Sequence, residues 1–174
     1  PKAISINTHY LRQMPVEEIA PYVEAELKKA GIWDPAYEES QRPWFLHTID
    51  LIRTRFHVTT DFATAGRAYF SDDYPIDSKS LKKNVLRHEG LQTWFPLLAD
   101  RLEVLEDFSL ESTEQVVRET AEELDVKAGV LINGIRTAVT GQPKGPGIFD
   151  VMVAIGQRRV VDRLRKAVAL FEQP

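Results

Sequence analysis

Cysteine is absent from all 174 residues, which excludes disulfides and every thiolate-bound metal or cluster. No apolar run approaches the roughly 20 residues of a membrane-spanning helix, and no secretory signal opens the sequence as it stands. A cytoplasmic setting without membrane contact is the expectation. Strict alternation of apolar and polar residues, the mark of a half-buried strand, is also missing, so no sheet is expected. The four histidines, His9, His47, His57 and His88, stand singly. None has the i, i+4 partner and the glutamate of a zinc helix, and no metal site is expected. No G-x-S-x-G elbow, Walker loop or dinucleotide fingerprint occurs. The carboxylate pairs Glu17-Glu18, Glu38-Glu39, Glu122-Glu123 and Asp72-Asp73 are sequence neighbours. Neighbours on a helix do not share a face and make poor general acid–base pairs. Nothing in the chain signals catalysis.

What is present is a globular composition with an uneven charge. Hydrophobic residues at 43% suffice for one sizeable core or two small ones. From Lys127 onward eight bases face three acids, a net +5, whereas the preceding residues carry −9. A basic end on an acidic body fits a polyanionic partner engaged at one place, or simply a solvated face on the last helix.

Periodicity predicts helices nearly throughout. Val16, Ile19, Ala20, Val23, Leu27 and Ala30 recur at helical spacing and Gly31 supplies the stop. Pro15 suits a first helical position, while Pro21 inside the pattern requires a start near Ala20 or a kink. Pro43 opens a second helix along Trp44, Leu46, Ile49, Ile52 and Phe56, with Arg53 and Arg55 off the middle of its apolar stripe. A third follows Thr60, using Phe62, Ala65 and Tyr69. The segment Ser71–Pro75 breaks the pattern and predicts a boundary, with one helical subdomain over 1–73 and another over 74–174. Asp77 or Ser78 caps the next helix through Leu81, Val85 and Leu86. Gly90 separates it from a helix with Leu91, Trp94, Phe95, Leu98 and Leu102. Ser112 with Gln115 reads as a capping box before Val116, Thr120 and Leu124. A helix from about Lys127 to Thr140, a short one ending at Gly156, and a last one through Val160, Leu164 and Phe171 complete an all-α fold. Trp33, Trp44 and Trp94 read as core.

Between the last three helices lies Gly141-Gln142-Pro143-Lys144-Gly145-Pro146-Gly147-Ile148-Phe149. Such a loop places bare backbone N–H groups beside a helix start, where an anion or a base edge can dock. Its prolines reduce the ordering entropy lost on binding. Arg55 and Arg136 each stand near the edge of an otherwise apolar helix, where a guanidinium can fork onto a base or a phosphate.

The ordered set of these pieces resembles a known family. Asn7-Thr8-His9-Tyr10-Leu11-Arg12 leads into Val16-Glu17-Glu18-Ile19. Ile52-Arg53-Thr54-Arg55-Phe56, Tyr69-Phe70-Ser71-Asp72-Asp73-Tyr74 and the block Arg136…Thr140-Gly141…Pro146-Gly147-Ile148-Phe149 follow. Over essentially the whole chain they are similar to the C-terminal, tRNA-anticodon-binding region of bacterial glutamyl-tRNA synthetases. The resemblance implies a cage of helices in two subdomains: 1–73 contacting the tRNA stem and holding a first anticodon-binding part, 74–174 a second. It implies a glutamate-accepting tRNA as partner. The ATP, Mg and glutamate chemistry would lie in an N-terminal catalytic domain whose motifs are absent, so this chain carries no cofactor. It also implies a monomer, either a fragment of such an enzyme or a free-standing relative of its C-terminal half. Arg55 matches an arginine that accepts C and rejects G at the third anticodon base. The edge of C offers N3 and O2 as acceptors, whereas G presents N1–H and N2–H, so donors would meet donors. Arg136 matches a second anticodon-contacting arginine, and Gly145, Pro146, Gly147, Ile148 and Phe149 match the loop and helix start that hold splayed bases. Tyr10 and Arg12 fall in a segment near the tRNA stem. Lys144 and the Arg158–Lys166 helix, with Arg158 and Arg159 foremost, would contact phosphates. Two positions depart from the family: Gly145 stands where some relatives have a hydroxyl residue, and Ser5 where an aromatic is common. The other function open to the chain is a protein-interaction module that binds an acidic partner through its basic end.

Overall fold

A computed structural model describes residues 8–172; Ser5 and Asn7 lie outside them. The described residues are helical with no strand. The chain divides into two compact units, residues 1–73 and 74–174.

The first unit contains α1 (Thr8–Gln13), α2 (Val16–Lys29), α3 (Arg42–Ile52) and the single turn α4 (Arg67–Phe70), with 3-10 turns at Pro35–Glu38, Arg53–Arg55 and Thr59–Phe62. Helix α2 starts at Val16 and continues through Pro21, not at Ala20. Pro15 sits just outside, its carbonyl accepting from the N–H groups of Glu18 and Ile19 at 2.9 and 3.3 Å. Pro21 is exposed on the polar side, so its ring meets water and not the packed face. Ile19, Ala20, Val23 and Leu27 face inward. On α3 the buried positions are Phe45, Thr48, Ile49 and Ile52, while Trp44 and Leu46 are half-buried. The core is strongly aromatic. Tyr37 stacks on Phe45 at 5.2 Å between ring centres, and Trp33 meets Phe45 edge-on at 5.3 Å. Such ring pairs add to the roughly 2–3 kcal/mol from burying each large apolar side chain. The helix expected after Thr60 is instead a 3-10 turn followed by α4, with the buried Gly66 between them.

The second unit contains α5 (Ser78–Ser80), which runs into a π-helical stretch over Leu81–Leu86, then α6 (Leu91–Glu103), α7 (Leu110–Leu124), α8 (Ala128–Thr140), α9 (Ile148–Ile155) and α10 (Gln157–Ala167), with a 3-10 turn over Val168–Glu172. Asp77 caps α5: its Oδ2 accepts from the Ser80 N–H at 2.9 Å and the Ser80 hydroxyl at 2.7 Å. Helix α7 begins one turn earlier than the sequence predicts. Ser109 and Ser112 cap each other's N–H groups, at 3.1 and 2.9 Å, and Gln115 binds Glu119 further along the helix. Trp94 is half-buried, like Trp33 and Trp44. Helix α10 packs chiefly on α6, and α8 lies against the π-helical stretch, α7, α9 and α10. That central place of α8 fixes where its C-terminal end delivers the Gly/Pro loop.

Candidate nucleic-acid interface

In the first unit the tight turn after α3 sets two arginines to different tasks. The Arg53 guanidinium donates to the Met14 carbonyl and pairs with Asp50 at 2.8 Å. Arg55 is exposed and, among the described residues, makes no hydrogen bond or ion pair. The backbone beneath it is anchored on both sides. Phe56 is 7% exposed, and the Asp61 carboxylate accepts from the N–H groups of His57 and Val58 at 2.9 and 3.1 Å. An arginine on a fixed turn with its fork in solvent can meet an acceptor pair without reorganising its backbone.

Helix α1 packs on the turn that carries Arg55, and the Thr8 hydroxyl donates to the His57 carbonyl at 3.2 Å. This brings Tyr10 and Arg12 to the same part of the unit as Arg55. Tyr10 is 59% exposed, with His9 edge-on at 5.8 Å, and Arg12 is exposed. No sequence pattern signals the Thr8–His57 link, because it spans 49 residues.

In the second unit the loop after α8 is held at several points. Gly141 ends α8 in the left-handed conformation at φ 73°, and a Cβ there would lie 2.1 Å from the Pro75 carbonyl oxygen. The carbonyls at this helix end, which have no partner within the helix, accept from elsewhere. Tyr74 Oη–H donates to Ala138 at 2.6 Å, Arg163 Nη1 to Val139 at 2.7 Å and the Asp77 N–H to Gly141 at 2.9 Å. The Thr140 hydroxyl donates to the Arg136 carbonyl at 2.7 Å and accepts from the Gln142 N–H at 3.0 Å.

At the far side of the loop, Arg136 Nη1 donates to the Pro146 carbonyl at 2.8 Å. A Cβ on Gly145 would come 3.0 Å from that nitrogen, so glycine there gives the guanidinium its place. Pro146 is buried and Ile148 is 4% exposed. Ile148 therefore anchors α9 and leaves no face for a base. Phe149 is half-buried, with the Arg118 guanidinium 5.8 Å from its ring centre. Lys144 and Gly147 are exposed.

Gly147 caps α9 without a side chain, and Asp150 in the first turn brings its carboxylate to 3.4 Å from where a Gly147 Cβ would stand. A negative charge already at this helix start opposes a phosphate. The arrangement suits a neutral base edge better.

The basic last helix is less available than its sequence suggests. Arg163 is 6% exposed and lies over the Tyr74 ring at 4.6 Å. Arg165 pairs with Glu103 at 2.7 Å and Asp100 at 2.9 Å. These hydrogen bonds, that to Glu103 first, hold the guanidinium proton more tightly than usual and push the Glu103 carboxyl below its ordinary range. Arg158 is exposed and 3.7 Å from Asp162, and Arg159 is half-buried. Lys166 of the same helix is exposed and, among the described residues, makes no ion pair.

One carboxylate pair forms across the first unit. Glu38 hydrogen-bonds Glu24, which raises its carboxyl above the ordinary value, and Lys28 and Arg42 oppose the shift. Among the described residues no group of three or more acids and histidines that could hold a metal occurs. Among the described residues no helix is long and apolar enough to cross a membrane.

Residues 15–168 match the family model of an anticodon binding domain. The glutamate–tRNA ligase of Desulfotalea psychrophila is 56% identical over 171 residues, which is 98% of this chain and 35% of that protein. The glutamate–tRNA ligase of Thermus thermophilus is 31% identical over 94% of this chain and 33% of its own length. The chain thus spans about a third of the curated relatives it matches, in their C-terminal part. A crystal structure of a glutamate tRNA ligase from Elizabethkingia meningosepticum in complex with its amino acid shares the fold. Its TM-score is 0.79 at 24% identity, over 95% of this chain and 31% of that one. With 15–168 matched end to end and a fold held in common, the chain belongs to the anticodon binding domain family, in the form found in glutamate–tRNA ligases.

Proposed function

We propose that this chain reads the anticodon of a glutamate-accepting tRNA and does no chemistry of its own. Arg55 accepts C and rejects G at the third anticodon base. Arg136, the Gly145–Gly147 backbone and the Phe149 ring hold further bases while Ile148 anchors α9, and Tyr10 and Arg12 lie against the stem. The parent is a glutamate–tRNA ligase, cytoplasmic and monomeric, whose ATP- and Mg-dependent aminoacylation resides in a catalytic domain of the same polypeptide.

The observation that carries this reading is the contrast between Arg53, engaged by Met14 and Asp50, and Arg55, exposed on an anchored turn. A guanidinium so placed offers donors to the acceptor edge of C, and meets the N1–H and N2–H donors of G with repulsion. The Gly/Pro loop supports it, because Arg136 holds the Pro146 carbonyl while Gly147 is exposed at an α9 start whose Asp150 favours a base over a phosphate. Phe149 supplies one partly exposed ring, a stacking surface worth about 1–3 kcal/mol per base.

The test is a binding titration of this chain against glutamate tRNA and against a tRNA of unrelated anticodon at matched salt. At least tenfold preference for the glutamate tRNA is expected, and equal affinities would remove anticodon reading.

A further inference from the structure

We propose that the helical segment Ser78–Leu86, with Arg87 at its end, is the surface on which the second unit holds the RNA phosphate backbone. The inference rests on the anticodon-reading function above and adds a contact surface to it. Within residues 78–88 stand Lys79, Lys82, Lys83 and Arg87, and no acid. The fold turns all four outward. Val85 is fully buried and Ser80 nearly so, and Leu81, Asn84 and Leu86 are half-buried, while the four bases are exposed. Among the described residues none of the four has a carboxylate within ion-pair distance, unlike Arg158 and Arg165 on α10.

This basic face is fixed beside the reading loop. Asn84 Nδ2 donates to the Thr137 hydroxyl at 3.3 Å, next in sequence to Arg136. The Asn84 carbonyl oxygen lies 3.5 Å from where a Gly134 Cβ would stand, so the helix runs closely along α8. At its start the Asp77 N–H donates to the carbonyl of Gly141, the first residue of the loop. The stretch Leu81–Leu86 is wound as a π-helix, a form uncommon in general and frequent at functional sites.

The chemistry of the face selects its partner. Lysine is a hydrated point charge that suits a phosphate and carries no base selectivity. A protein partner would need an apolar centre to its interface. The exposed large apolar residues among those described are Tyr10, Val58, Val104 and Leu110, none of them on this helix. A polyanionic backbone needs no such centre, since displaced counterions drive its binding. On a chain of net charge −4, a local cluster of four bases also orients the approach of the RNA.

The test compares the chain with its K82Q/K83Q/R87Q variant against glutamate tRNA, carrying C or G at the third anticodon position, over a salt series. The substituted side chains are exposed, so the helical circular dichroism and melting temperature should hold. The expected result is an affinity loss of at least tenfold at low salt, equal for both tRNAs. The slope of log affinity against log salt should flatten by about 0.7–0.9 per contact removed. An affinity within twofold, or a loss with unchanged slope, overturns the proposal while anticodon reading stands. Equal binding of both tRNAs, with a slope that the variant flattens, retains the backbone surface and removes base reading. Absence of RNA binding by the unsubstituted chain at low salt overturns both.

Discussion

The guanidinium of Arg136 donates to the carbonyl of Pro146 at 2.8 Å and thereby closes the loop that separates α8 from α9. The side chain to which the proposed function gives a base contact thus also braces the loop backbone. Arg136→Lys keeps the charge and loses the planar fork. It should weaken glutamate tRNA binding by about 1–3 kcal/mol and raise hydrogen exchange of the amides from Gln142 to Phe149. Titration and exchange mass spectrometry on one variant measure both. Binding loss without faster exchange would assign Arg136 to the base alone.

Gly141 should tolerate no side chain. Its φ of 73° already disfavours an L-residue, and a Cβ would lie 2.1 Å from the Pro75 carbonyl oxygen. Gly141→Ala is expected to destabilise the chain by about 2 kcal/mol or more, read from urea unfolding. Gly31 also has a positive φ but nothing near its Cβ, so Gly31→Ala should cost about 1 kcal/mol.

Tyr74→Phe removes the hydroxyl that donates to Ala138 and keeps the ring beneath Arg163. A stability loss of about 1 kcal/mol is expected, and Tyr74→Ala should lose clearly more. Equal losses in urea unfolding would mean that the ring contributes nothing.

The Asp77 cap should make stability depend on pH. Hydrogen bonds from the Ser80 hydroxyl and N–H lower its carboxyl from the ordinary 3.8. A depressed folded-state value means that the contribution is complete above the unfolded value and disappears as pH falls through the folded one. Asp77→Asn keeps a capping oxygen without that titration. The stability difference between the two proteins should therefore be constant from pH 5 to 7 and should shift in favour of Asp77→Asn only below about pH 4.

Much of this is legible in the sequence, for local reasons. Gly141 followed by Pro143 and Pro146 marks the end of one helix, because the positive φ of Gly141 suits a residue without a Cβ, and prolines do not continue a helix. The apolar spacing of Val23 and Leu27, or of Val160 and Leu164, likewise places their helices. What escapes is a choice between two local caps and several non-local contacts. Ser112 reads as a helix cap because a glutamine follows three residues later, but Ser109 takes that place when its hydroxyl and that of Ser112 satisfy each other's N–H groups. Arg163 looks like one more surface base, yet the carbonyl of Val139 and the ring of Tyr74 draw it inside. Lys82 and Lys83 carry no such signal either, until Asn84 is seen to fasten their helix to α8.

The central claim is that Arg55 chooses the third anticodon base. The most direct measurement is the ratio of affinities for glutamate tRNA bearing C or G at that base, determined for the chain and for Arg55→Ala at one salt concentration. The account predicts a ratio of at least ten in favour of C that collapses to about one in the variant, a change of roughly 1–3 kcal/mol. A ratio that survives the substitution would contradict it.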